Sequence, residues 1–271
     1  FANYTVRDLR SRTQMFKSIG STLVGYGIAI IALGLQHSAE LQEVAEQIVV
    51  ASINAVIGPL LTFGILFIVE RVFNITSDLR LLEYDNMNHP LLLELSEKAP
   101  GTYQHTLTIA RLADSAARAI DANPILAKAG SYFHDIGKIA KAEYFVENQL
   151  NIGNKHDRLS PLKSAAIIRN HVEDGIELGR EYGLPQRILE FIPRHHGTML
   201  IKYFYVKALE DSRNKGTIVN EDDFRYPGPK PNSRETAIVM LADSVEALSR
   251  TLDSSTPVQL EQAIASISKE R

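Results

Sequence analysis

Seven residues offer the side chains from which a metal centre can be built: His105, the adjacent pair His134–Asp135, His171, the adjacent pair His195–His196, and Asp243. Neighbours on a helix project about 100° apart, so His134 and Asp135 make a poor salt bridge with each other. The pair makes sense if both side chains lean toward one ion. The stretches "SYFHDI", "IIRNHV" and "MLADSV" surround three of these positions with apolar residues, and a carboxylate such as Asp243 is costly to bury there unless it is paired. Taken singly, each reads as a hydrogen-bonded core histidine or a helix cap. Taken together, two vicinal pairs and three isolated nitrogen or oxygen donors on separate helical segments meet the needs of a binuclear site in a bundle core.

Composition narrows the chemistry. The 271 residues include no cysteine, which excludes disulfides, iron–sulfur clusters and thiolate zinc sites and leaves imidazole and carboxylate as ligands. A net charge of −3 carries no footprint of a nucleic-acid binder, so neither a DNA nor an RNA duplex is expected as partner.

The elements that must position these donors are helical nearly throughout, and the expected fold class is all-α. Pro90 starts a short helix, and Ala99-Pro100-Gly101 reads as a break. "HTLTIARLADSAARAI" is amphipathic at 3–4 spacing. Asn123-Pro124 is a cap followed by a first-turn proline, opening a helix expected to carry His134 and Asp135. "NQLNIGNKHDRLSP" reads as a polar loop, "PLKSAAIIRNHVEDGIELGREYG" and "PQRILEFIPRHHGT" as helices, residues 211–234 as a long loop, and "ETAIVMLADSVEALSRTL" as a strong helix.

The N-terminal part differs. Ser18 to Ala39 and Gln47 to Val69 hold no Asp, Glu, Lys or Arg, and each run suffices to cross a bilayer core, which takes about 20 helical residues. Buried core helices are the alternative; the glycine-rich, uncharged character favours spans over about 19–36 and 48–69. Arg7, Arg10, Arg12 and Lys17 precede the first run, Arg71 and Arg80 follow the second, and the connection "QHSAELQEVAEQ" is acidic. The positive-inside rule then places both termini in the cytoplasm. The chain begins without Met and shows no signal-peptide pattern, so it is expected to be a piece of a longer membrane protein. Residues 1–75 are expected to form a membrane segment and residues 76–271 a cytosolic domain.

"HDIGK", with His105 upstream and His171, "HHGT" and "LADSVEA" downstream, resembles the HD-domain superfamily of metal-dependent phosphohydrolases. The further stretches "APGTYQHT", "YFVENQ", "NKHDRLSP" and "FRYPGPKP" are similar to the seven-transmembrane HD proteins that act on cyclic di-AMP. That resemblance covers residues from about 75 to 265 as the HD domain, with residues 1–70 as the last two of seven spans. It implies an HD-domain helical bundle with a binuclear metal site, preceded by two transmembrane helices, in a multi-pass protein of the bacterial cell membrane with the HD domain in the cytoplasm.

Carried over position by position, the resemblance implies that Asp135 bridges two divalent ions, iron or manganese. His105, His134 and Asp243 would complete one set of ligands and His171, His195 and His196 the other. The implied reaction is hydrolysis of cyclic di-AMP to 5′-pApA by a metal-activated hydroxide. Two divalent ions outweigh two carboxylates and a hydroxide, so the site favours an anionic substrate. Lys138, three residues beyond Asp135 on the same face, is a candidate catalytic and phosphate-binding group and equally a solvated lysine. Thr102, Glu147 and Asn148 are candidates to orient ligands. In "FRYPGPKP", Arg225 and Lys230 are candidates for the second phosphate or an adenine, and Tyr226 for stacking on a base; a solvated loop is the competing reading of each.

Three histidines are set aside. His156-Asp157 lies in a polar loop, His89 precedes Pro90 and serves the turn, and His37 falls between the spans. A cyclic di-GMP phosphodiesterase is the neighbouring enzyme reading, but "GTMLIKYF" after the histidine pair lacks a Gly-Tyr-Pro signature. A non-catalytic cyclic-dinucleotide receptor is the other class, and no lost ligand argues for it. A homodimer is left open.

Overall fold

The structure, a computed structural model, describes residues 12–73, 75–149, 153–215, 218–250, and 259, 261, 262, 264 and 265. The chain divides into two compact units, residues 1–83 and 84–271.

In the first unit, helix α1 (Arg12–His37) and helix α2 (Leu41–Phe73) pack against each other across a three-residue turn in which Ser38 takes a positive φ of 51°. At 1.5 Å per residue, the 33 residues of α2 rise about 50 Å. Both helices are long and apolar enough to cross a membrane, over Lys17–His37 and Leu41–Phe73. Ile28, Leu35, Ile53, Leu61 and Phe67 all stay exposed along them. Ser52 and Thr62 donate their hydroxyls to the carbonyls of Ile48 and Gly58 one turn back, at 2.7 and 2.9 Å, which satisfies them without water. A short helix, α3 (Asp78–Leu81), capped by Ser77, ends the unit.

The second unit is helical, and among its described residues the sole β feature is an isolated antiparallel bridge between Leu200 and Arg225. Helix α4 (Pro90–Lys98) opens on the cap of His89, whose Nδ1 accepts from the Leu91 N–H at 3.3 Å, in line with the turn role expected for it. The break expected at Ala99-Pro100-Gly101 shrinks to Ala99, because Pro100 is the first residue of α5 (Pro100–Ala119). Proline fits there since the first helical N–H has no partner in any case. Helix α6 (Pro124–Phe133) starts where expected, with the Asn123 side chain accepting from the N–H groups of Ile125 and Leu126.

It ends one residue earlier than the sequence suggested. His134 is the C-cap of α6, and Asp135, at φ −113° and ψ 13°, leads into a 3₁₀ segment over Ile136–Tyr144. The cause is Gly137. A Cβ there would lie 1.9 Å from the His171 carbonyl oxygen and 2.5 Å from the Gly175 nitrogen, so this segment runs backbone against backbone along α7 (Pro161–Glu181). The tighter turn is what swings Asp135 away from a regular helical position.

Two short helices follow, α8 (Gln186–Leu189) and α9 (Phe191–Arg194), and then α10 (Lys202–Lys215). Residues 211–215, expected in a loop, continue α10, since no proline or glycine interrupts the chain between Lys202 and Lys215. Helix α11 (Arg234–Ser249) begins with a capping box in which Ser233 and Thr236 exchange hydrogen bonds. The core beneath the site is built from Ile109, Phe133, Ile136, Phe191, Ile192 and Val239, all fully buried.

Candidate metal centre

Three of the histidines are aimed by one device. In each, Nδ1 lies against the carbonyl oxygen three residues earlier: His134 on Ser131 at 2.7 Å, His171 on Ile168 at 2.5 Å, and His195 on Ile192 at 2.7 Å. A carbonyl only accepts, so Nδ1 carries the proton and the Nε2 lone pair is left facing inward. His105, on α5, is turned instead by a carboxylate, with Nδ1 3.0 Å from Glu246 Oε2.

The four Nε2 atoms converge on Asp135, and they divide between its oxygens. Oδ2 faces His105 and His134 at 3.5 and 3.3 Å, while Oδ1 faces His171 and His195 at 3.4 and 3.5 Å. The donor atoms of His105, His134 and Asp135 lie within 4.8 Å of one another, as do those of Asp135, His171, His195 and His196. Asp243, from α11, sits between the groups, with Oδ1 3.1 Å from His105 Nε2 and Oδ2 3.9 Å from His196 Nδ1. The structure thus brings all seven sequence-predicted donors into one buried cluster. Among the described residues, His134 Nε2, Asp135 Oδ1 and His196 Nδ1 are buried without a well-formed hydrogen bond. Each such atom costs about 1–3 kcal/mol if left unsatisfied, and a cation satisfies them together. The donor set is therefore fit to hold metal.

The charge state suits a cation as well. Burial opposes ionisation of Asp135, but Lys138 and His134 outweigh it and hold the carboxyl well below its usual range. Burial likewise opposes ionisation of Asp243, and the hydrogen bond from His105 with the charge of His196 reverses the balance. Burial pushes His171 down to about 3, and burial with the neighbouring His195 and His171 keeps His196 neutral. At His105 burial would lower the pKa, yet Asp243 and Glu246 raise it to about 9. A metal ion must displace that proton at neutral pH. Uptake of Mn²⁺ at pH 7 is accordingly expected to release about one proton and to strengthen as pH rises toward 9. Calorimetric titration in two buffers of different ionisation enthalpy measures both.

Lys138 lies inside this arrangement, its Nζ 2.8 Å from Asp135 Oδ2 and 2.8 Å from Glu147 Oε1. The Thr102 hydroxyl donates to the same Glu147 oxygen at 3.1 Å, and Asn148 is bonded to both the Thr102 side chain and its N–H. Removing one member of such a buried ion cluster costs about 3 kcal/mol or more. Lys138→Met is expected to destabilise the metal-free chain by that order in urea titration, with part of the loss recovered on adding Mn²⁺.

The candidate substrate residues are placed less uniformly. Arg225 is ion-paired with Glu221 and donates to the Thr198 carbonyl at 3.0 Å. Together with Lys202, Lys230 and Met240 it lines a cleft of about 530 Å³. Tyr226 is buried, with its ring stacked on His196 at 4.1 Å and 25°, so that face holds a histidine of the cluster. Of the histidines set aside, His156 is not a loop residue but a core one. It is buried beside Phe204, and its Nε2 lies 2.9 Å from the Tyr144 carbonyl oxygen. Glu246 was missed, although its place three residues after Asp243 on one helix face was a usable signal. Lys202, which lines the cleft, had no such signal.

A bundle that closes five histidines and two aspartates around one buried centre is the architecture of a metal-dependent HD domain. Residues 102–248 match the HD domain family, and the chain belongs to it. Residues 1–77 match the family described as a 7TM receptor with intracellular HD hydrolase. The particular relatives are proteins named PgpH. The cyclic-di-AMP phosphodiesterase PgpH of Bacillus subtilis (strain 168) is 40% identical over 242 residues, 89% of this chain and 34% of the relative. The protein of that name from Listeria monocytogenes serotype 1/2a (strain 10403S) is 44% identical over 212 residues, 78% of this chain and 29% of the relative. A crystal structure of the L. monocytogenes PgpH HD domain in complex with cyclic-di-AMP superposes with a TM-score of 0.65 at 46% identity, covering 69% of this chain and 85% of that one. The chain spans about a third of the length of the curated relatives it matches.

Proposed function

We propose that this chain is the HD portion, with its last two membrane spans, of a cyclic di-AMP phosphodiesterase that hydrolyses its substrate to 5′-pApA. The observation that carries the reading is the division of Asp135, one oxygen toward His105 and His134 and the other toward His171 and His195. A carboxylate so placed suits two divalent ions, iron or manganese, with His105, His134 and Asp243 on one side and His171, His195 and His196 on the other. The PgpH relatives support the substrate. Residues 1–75 act as the membrane segment and residues 76–271 as the cytosolic domain, with both termini in the cytoplasm.

When bound, two divalent ions supply a water acidified to near-neutral pKa and offset the charge that develops on a phosphodiester. The chain's own residues prepare the place for them. The carbonyls of Ser131, Ile168 and Ile192 fix the imidazole tautomers. Lys138 stays protonated, because the charges of Asp135 and Glu147 overcome the effect of its burial, and it holds the Asp135 carboxylate in place. It also adds positive charge beside the site, where an anionic substrate gains from it. Arg225 and Lys230, on the wall of the cleft beyond His196, are the groups proposed for the substrate's second phosphate or base. Tyr226 supports His196 through its stacked face and presents its remaining edge to a ligand.

The test is the detergent-solubilised chain, loaded with Mn²⁺ or Fe²⁺, against cyclic di-AMP and cyclic di-GMP side by side. Selective conversion of cyclic di-AMP to pApA is expected. Equal turnover of both would remove the base preference, and tight binding without turnover would replace the enzyme by a receptor.

A further inference from the structure

We propose that Glu246, clamped by Arg250, is a positioning residue that makes the two metal positions unequal and tightens the ion on the His105 side. The inference rests on the two-ion reading above. Among the four rings turned toward Asp135, three lean on neutral carbonyls and His105 leans on a carboxylate. An imidazole whose Nδ1–H is given to a carboxylate is a stronger donor at Nε2 than one given to a carbonyl.

Glu246 is held from both ends. Its Oε2 lies 3.0 Å from His105 Nδ1, while Oε1 takes the Arg250 Nε and Nη2 groups at 2.6 and 2.5 Å. Arg250 offsets part of the charge and also removes the side chain's freedom to swing away. One turn earlier on α11, Asp243 Oδ1 reaches the other ring nitrogen of His105 at 3.1 Å. A single helical face therefore grips both nitrogens of one ring. The His105 side has Asp135 and Asp243 at the centre with Glu246 behind. The other side pairs three imidazoles with Asp135. In a buried, low-dielectric site that imbalance favours a divalent cation on the carboxylate-rich side.

Titrating the metal-free, solubilised chain with Mn²⁺, and following free Mn²⁺ by electron paramagnetic resonance, gives the two affinities separately. The wild-type chain is expected to take up two ions in distinct steps. Glu246→Gln keeps the shape and an accepting oxygen but loses the charge, and is expected to weaken the tighter step about 10-fold. Glu246→Ala loses both and should weaken it about 100-fold. Arg250→Gln should shift the same step by less. The weaker step and the melting temperature of the metal-free chain should not move. An unchanged isotherm in all variants, or equal weakening of both steps, would overturn the inference while leaving the two-ion site intact. Uptake of a single ion by the wild-type chain would overturn the two-ion reading itself. If Glu246→Ala does not fold, the Glu246→Gln and Arg250→Gln isotherms decide.

Discussion

Asp135→Ala is expected to abolish phosphodiester hydrolysis, with turnover falling by on the order of 10³-fold or more. Asp135 is the one residue that belongs to both groups of metal donors, so its loss removes a ligand from each position at once. Four Nε2 atoms within 3.3–3.5 Å of its oxygens would then face one another with no anion between them. Lys138, 2.8 Å away, would lose one of its two carboxylates. The metal-to-protein ratio, measured by elemental analysis after gel filtration, should fall with the activity. Asp135→Asn separates charge from packing. It keeps the shape and one accepting oxygen, should fold, and should still lose most of its metal. A folded Asp135→Asn chain with full metal content and turnover would show that the carboxylate is not the bridge.

Gly137→Ala is expected to be the most damaging single-methyl change in the HD unit. The new Cβ would fall 1.9 Å from the His171 carbonyl oxygen and 2.5 Å from the Gly175 nitrogen. Both are backbone atoms of α7, so no side-chain rotation relieves the clash, and the 3₁₀ segment and α7 must separate. The expected cost is about 3–5 kcal/mol, read from urea unfolding of the solubilised chain. Separation also pulls His171 away from Asp135, so metal affinity should fall further than stability alone explains. Gly25→Ala is the control. A Cβ there meets nothing within 4 Å, and a mid-helix glycine costs about 1 kcal/mol relative to alanine, so that change should be neutral or stabilising. Comparable losses in the two variants would mean that the close approach at Gly137 is not what positions α7.

Much of the site was legible before any coordinates. The seven donors stood out because polar side chains recur inside apolar helical stretches, where burial without a partner is costly. The starts of α4, α6 and α7 were legible for a local reason: a cap or a proline at the first turn acts on the three or four residues beside it. The two apolar helices of the first unit were legible from length and charge alone.

What sequence could not supply were the relations between distant segments. His134 and Asp135 are neighbours in the chain, but the backbone change between them is imposed by the passage of Gly137 against α7, more than thirty residues away in sequence. His156 looked like a loop residue because its neighbours are polar, and it is buried because Phe204 packs over it. Tyr226 carried the marks of a base-stacking residue, yet the bridge between Leu200 and Arg225 brings its ring onto His196. Glu246 joins the centre because α11 crosses α5 at His105. The sequence by itself determined which side chains could bind a cation and which segments would be helical, since both follow from residue chemistry and local periodicity. The tertiary structure alone decided how Asp135 is shared and which carboxylate stands behind His105, because those depend on which backbones approach closely enough to exclude a side chain.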